Sequence, residues 1–120
     1  MARFEGDTEE PEVNFEIVIM PGAALDIGEA TLFYEERSED LAKRFDAALD
    51  ACLDLIERNP RMFAVLSKNA RRGLLRGFSY AVYYQIIEET IYIFAFQHTS
   101  RSPKHWKERL KHSFRSNGKA

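Results

Sequence analysis

His98 and Arg101 stand where a long apolar run ends, and Arg71, Arg72 and Arg76 crowd a shorter apolar run upstream. An imidazole titrates near neutrality and can give or take a proton. Guanidinium groups bind carboxylate or phosphate through forked N–H donors. The set can therefore grip an anionic partner. With an imidazole to carry the proton and cations to offset charge on phosphorus, it can also assist cleavage of a phosphodiester. Trp106 can stack a nucleobase, or pack with Leu110 as core. His105, among Lys104 and Lys107, reads as an exposed side chain on a helix. Cys52 is the single cysteine, which excludes an internal disulfide and a cysteine-based metal site. Its place between Ala51 and Leu53 reads as a small buried apolar residue. No Gly-rich phosphate loop and no metal-ligand spacing is present, so neither cofactor nor metal is expected.

The elements that must position these residues follow from periodicity. Tyr80 to Ile87 and Thr90 to Gln97 are β-branched and aromatic runs joined by Glu88-Glu89, which predicts a hairpin. Both runs carry apolar residues on both faces, so the hairpin should be central and covered on both sides. Phe15 to Met20 reads as a short strand stopped by Pro21-Gly22. From Ala23 to about Arg37, Ala24, Ile27, Ala30, Thr31 and Tyr34 recur at helical spacing, with Asp26, Glu29, Glu35 and Glu36 on other faces. Ser38 is placed to cap a second helix. The stripe of that helix is Leu41, Phe45, Ala48, Leu49, Cys52, Leu53 and Ile56, and Asn59-Pro60 ends it. Its Asp46, Asp50 and Asp54 should face solvent. Arg61 to Asn69 reads as a connection whose Met62, Phe63, Val65 and Leu66 tuck under the helices. Ala70 to Leu75 is a strand with Arg72, Leu74 and Arg76 on one face and Arg71, Gly73 and Leu75 on the other. Ser102-Pro103 opens a last helix to about Phe114, with Trp106 and Leu110 inward and Lys104, Lys107, Arg109 and Lys111 solvated. The order strand, helix, helix, strand, strand, strand, helix belongs to an α+β domain with a twisted, mainly antiparallel sheet, a two-helix hairpin on it and a short C-terminal helix.

A chain of 120 residues with 45% hydrophobic content is expected to be one domain, residues 15–114. An acidic leader, residues 1–14, precedes it and a frayed tail, residues 115–120, follows. No apolar run reaches the roughly 18 residues of a membrane span and the N-terminus is acidic, so a cytoplasmic protein is expected. The net charge of −2 conceals a division, since sixteen of the nineteen acidic residues lie in the first sixty positions and twelve of the seventeen basic ones in the last sixty. The basic half suits nucleic acid or an acidic peptide, or the two halves neutralise one another.

The run Arg71 to Tyr84, the run Ile91 to His98, and then Arg101, Pro103, Trp106 and Arg109 resemble the RelE/ParE superfamily of type II toxin-antitoxin toxins, the plasmid-stabilisation proteins. Pro21 to Ile27, Tyr34-Glu35-Glu36, Leu41 to Phe45 and Asn59-Pro60 fall where that superfamily places its helices, so the likeness covers roughly residues 15–110. It implies a RelE/ParE-like fold, growth inhibition, and a cognate antitoxin whose extended or helical tail wraps the toxin. It also implies one of two activities. A RelE-like member cuts mRNA on the ribosome, and His98 and Arg101 would be its catalytic residues here. A ParE-like member binds an essential target such as DNA gyrase, and Arg71, Arg72, Arg76, Arg101 and Trp106 would then meet target or antitoxin. The acidic early helices and the pI near 5.9 favour the ParE-like reading. A binding module of this fold that has lost toxicity is the third reading.

Overall fold

The computed structural model describes residues 14–119, with side chains through residue 112. The expected leader lies outside the described residues except for Asn14. Five strands form one sheet in the order β1-β5-β4-β3-β2: β1 (Glu16–Ile19), β2 (Val65–Ser67), β3 (Ala70–Leu74), β4 (Tyr80–Ile87) and β5 (Thr90–His98). Only the β1–β5 pair is parallel, with Ile17 beside Ile91 and Ile19 beside Ile93. The β4–β5 hairpin is central, as the two-sided apolar runs require, and Glu88 in its turn is left-handed at φ 57°.

Helices α1 (Pro21–Glu35) and α2 (Glu39–Arg58) cover one face of the sheet, and α3 (Pro103–Lys119) covers the other. The backbone of α3 continues past the expected end near Phe114. Ser38 caps α2, its Oγ accepting from the Leu41 N–H at 3.1 Å. The stripe of α2 enters the core as its spacing requires: Phe45 and Ile56 are fully buried and Leu49 and Cys52 nearly so. Phe45 meets the rings of Tyr34, Phe78, Tyr80 and Phe96 at centroid distances of 4.8 to 6.0 Å. Burying such a ring contributes about 1.5–3 kcal/mol. Burial also pushes the Cys52 thiol up to about 11, so it stays protonated and inert. Across the sheet, Trp106 and Leu110 of α3 close a second core over Ala70, Ala81, Tyr83, Phe94 and Ala95.

β3 alternates as expected. Arg71, Gly73 and Leu75 turn toward α2, while Arg72 and Leu74 are exposed on the opposite face. At Gly73 a Cβ would lie 3.1 Å from Ile56 and 3.3 Å from Cys52, so the missing side chain is what lets α2 approach. A register shift between Tyr83 and Tyr84 makes Phe94 an extra residue in β5. Phe94 and Ala95 consequently both enter the core under α3.

In the connection after α2 and in α1 the expectations fail in part. The Arg61–Asn69 connection contains a 3-10 turn (Pro60–Met62) and the edge strand β2, which returns to β3 through Lys68 and Asn69, both left-handed. Of its apolar residues only Phe63 packs against the core beneath the helices, its ring on Tyr84, while Met62, Val65 and Leu66 are exposed, because β2 lies at the sheet margin beyond the helical layer. In α1 the buried stripe begins at Ala23, with Ala24 exposed, and Leu25, Leu32 and Phe33 also face outward. That helix is apolar nearly all round.

Candidate functional site

β1 stops before β5 does. Its last ladder bond runs from the Met20 N–H to the Ile93 carbonyl at 2.9 Å, and Pro21 then turns the chain into α1. Beyond Ile93 the flank of β5 has no strand beside it among the described residues, so its backbone groups need other partners. Asp26 of α1 and Arg109 of α3 supply them. The Phe96 N–H donates to Asp26 Oδ2 at 3.1 Å, and Arg109 Nη1 donates to the Phe94 carbonyl at the bulge at 3.1 Å. The two side chains bind each other through two parallel bonds of 2.9 and 3.0 Å. The Asp26 and Arg109 side chains are only 11% and 22% exposed. One ion pair thus ties both helical layers to the central strand. Arg109 was expected on a solvated face and Asp26 away from the apolar stripe of its helix. Gly22 makes room, since a Cβ there would lie 2.6 Å from Arg109 Nη1.

Next to this pair a cavity of about 200 Å³ opens between α1 and the end of the hairpin. Tyr80, Phe96 and Phe33 form its aromatic walls, and Glu29, His98 and Arg101 join Asp26 and Gln97 in its polar lining. Gln97, 2% exposed, holds the loop that follows, its Nε2 donating to the Arg101 and Ser102 carbonyls at 3.4 and 3.3 Å. His105 sits half-buried nearby, contrary to the expectation of an exposed side chain. Burial lowers its pKa, the positive charges of Arg101 and Arg109 lower it further, and Asp26 and Glu29 oppose them.

A depressed imidazole pKa has a definite sign. As pH falls through the ordinary value near 6.5, the unfolded chain takes up the proton before the folded one does. Stability from this group is therefore complete above that value and is lost below it. Thermal unfolding of the unaltered chain between about pH 7.5 and 5.5 should show a larger fall in Tm than a His105→Asn variant. Equal falls in both would remove His105 from the cause.

Of the residues singled out in the sequence, the fold unites His98 and Arg101, which line the same cavity. Arg76, exposed in the β3–β4 turn, lies at that same end of the sheet, because Tyr80 pairs with His98 and the Leu75 N–H donates to the Tyr80 carbonyl. Arg71 is spent on structure: it donates to the carbonyls of Arg61 and Phe63 at 3.0 and 2.5 Å. Arg72 stands apart, on a cavity of about 220 Å³ shared with Phe63, Ala64, Leu66 and Leu74. Trp106 is 5% exposed and stacked on Tyr83 at 5.1 Å, so its ring packs core. Asp26, Glu29 and Gln97 were not singled out, His105 was read as exposed and Arg109 as solvated, and pairing across 83 positions leaves no periodic trace.

His98 lies with its edge toward Tyr80, and its Nδ1 accepts the Ser100 N–H at 3.1 Å with Ser100 Oγ at 2.9 Å. While Nδ1 accepts, the ring's hydrogen belongs on Nε2, so the outward nitrogen is a donor. Among the described residues no group of three or more His, Cys, Asp or Glu is placed to hold a metal, and no helix is long and apolar enough to cross a membrane. The arrangement can orient a charged or hydrogen-bonding group of a partner.

Comparison with known proteins agrees with this architecture. The chain is 34% identical over 83 residues to Toxin ParE2 from two strains of Mycobacterium tuberculosis, CDC 1551 / Oshkosh and ATCC 25618 / H37Rv, spanning 68% of this chain and 79% of each relative. A solved structure of the chromosomal ParDE TA system from P. aeruginosa superposes with a TM-score of 0.63 at 11% identity, over 72% of this chain and 98% of that one, and supports the fold. The family model for the ParE toxin of the type II toxin-antitoxin system, parDE, matches residues 17–103. With an α+β fold of three helices on a five-stranded mixed sheet, the chain belongs to the ParE toxin family of type II toxin-antitoxin systems.

Proposed function

We propose that this toxin inhibits growth by binding an essential target without chemical turnover, with DNA gyrase the first candidate, and that a cognate antitoxin silences it. The observation that supports this reading most is the β2–β3 margin. Val65, Leu66 and Leu74 are 50, 38 and 56% exposed around Arg72, on a sheet edge with no further strand among the described residues. Exposed apolar side chains beside an unpaired strand edge suit an added segment of extended chain. The guanidinium of Arg72 selects one with acidic residues. An amphipathic acidic antitoxin tail has that chemistry. Of the arginines singled out in the sequence, Arg76 and Arg101 remain exposed for the target, while Arg71 and Trp106 act by holding the sheet corner and α3 in place.

The RelE-like alternative needs a general base, an acid and a cation around one scissile phosphate. His98 accepts from Ser100 at Nδ1 and turns a donor outward, with Glu29, Tyr80 and Arg101 on the same cavity, so the preference for the non-hydrolytic reading rests on the acidic early helices and the match to the ParE toxin family. The test is supercoiling by purified gyrase with the full chain added. Inhibition that the antitoxin reverses is expected, and undiminished supercoiling with excess toxin would remove gyrase as the target.

A further inference from the structure

The acidic and basic halves of the chain end on opposite faces of the sheet. Asp46, Asp50, Asp54 and Glu57 are exposed on α2. On the far face Lys104, Lys107 and Lys111 recur along one side of α3, and Lys68 reaches toward them from the β2–β3 turn. The four lysines line one groove of about 360 Å³. The turn that carries Lys68 is held from below, since Gln85 Nε2 donates to the Lys68 carbonyl at 2.7 Å. Among the described residues none of the four is in an ion pair; Lys107 lies 5.7 Å from the Trp106 ring centroid. Glu108 is the one acidic residue on the groove, and it lies 3.9 Å from His112 Nδ1. Such a concentration of unpaired positive charge on a chain of net charge −2 repels itself unless an anion lies in the groove.

We propose that this groove binds the phosphate backbone of duplex nucleic acid, without regard to sequence. At 1.5 Å of rise per residue, Lys104 to Lys111 spans about 10 Å, and a duplex carries one negative charge per about 1.7 Å of its axis, so a row of that length lies within reach of several phosphates. Lysine meets phosphate as a point charge and needs no fixed fork. The groove offers no ring to stack an unpaired base, because Trp106 is buried against Tyr83. It also offers no exposed apolar anchor, since Leu110 in its floor is 8% exposed. An acidic peptide bound there would lack the apolar contacts that hold a peptide interface. The acidic α2 face lies across the sheet, roughly 20 Å away at about 10 Å per layer. That exceeds the screening length of about 8 Å at physiological salt, so it does not cancel the attraction.

The inference does not rest on gyrase being the target, and its failure leaves the antitoxin and target readings untouched. It is tested by fluorescence anisotropy of labelled short duplexes of unrelated sequence, titrated with the full chain at several salt concentrations. Four lysine contacts give a slope of log K against log salt of about −3.6, or a loss on the order of a hundredfold for a fourfold rise in salt. Lys107→Glu with Lys111→Glu should weaken binding at least tenfold and reduce the slope by about 2, and Lys68→Glu, from a different element, by about 1. Circular dichroism confirms that each variant is folded. Binding unchanged in both variants would overturn the proposal, as would poly-glutamate competing more strongly than duplex of equal charge.

Discussion

Arg109→Met should lower the free energy of unfolding by about 3 kcal/mol, at the lower end of the cost of breaking a buried pair because Arg109 keeps some contact with water. The loss has two parts. Asp26 is left as an 11% exposed carboxylate without its countercharge, and the Phe94 carbonyl loses the Arg109 bond on a flank of β5 that no strand covers. Replacing both partners, Asp26→Leu with Arg109→Met, should cost clearly less than the two single changes added together, since no unpaired charge then remains. Urea unfolding of the four proteins gives the coupling. A single variant within about 0.5 kcal/mol of the unaltered chain, the range of ordinary surface changes, would show that the pair does not hold the layers together.

Leu74→Asp combined with Arg72→Glu should weaken antitoxin binding by about a hundredfold while leaving the toxin folded. Leu74 is 56% exposed and Arg72 lies outward beside it, so neither change opens a cavity in the core. In a complex the same positions would be buried under the antitoxin tail, where removing an apolar anchor and reversing a charge costs about 3 kcal/mol, or two powers of ten in Kd. Calorimetric titration with the purified antitoxin measures this directly. Affinity within about threefold of the unaltered toxin, a difference below 1 kcal/mol, would move the antitoxin to another surface, the exposed Leu25, Leu32 and Phe33 of α1 being the next to examine.

Much of the frame was legible because local pattern dictated it. The two-sided apolar runs around Glu88-Glu89 could only be a central hairpin, and the three-and-four spacing from Leu41 to Ile56 could only be the buried stripe of α2. The strand β2 was missed because three residues are too few to show alternation and because Val65 and Leu66, side by side, resemble filler for a core. Lys68-Asn69 lacks the glycine that usually marks so tight a turn, yet both residues accept a left-handed backbone. The arrangement around β5 was illegible for a different reason. Nothing near Asp26 or Arg109 distinguishes either from a solvated helix residue, and the demand they satisfy arises only when β1 ends before β5 and a bulge turns the Phe94 carbonyl outward. His98 and Arg101 were placed together because four residues cannot diverge far, whereas Arg71 and Arg72, adjacent in sequence, went to opposite faces of β3, the first to cap loop carbonyls and the second to an exposed cavity.

If the toxin works by binding alone, His98, held by Ser100 at the end of β5, transfers no proton. The most direct measurement is gyrase supercoiling in the presence of the unaltered chain and of a His98→Ala variant, with transcripts from a translation extract followed in parallel. Both proteins should inhibit supercoiling to the same extent and leave mRNA intact. Transcripts cut by the unaltered chain and spared by His98→Ala, with supercoiling unaffected by either, would make the protein a nuclease instead.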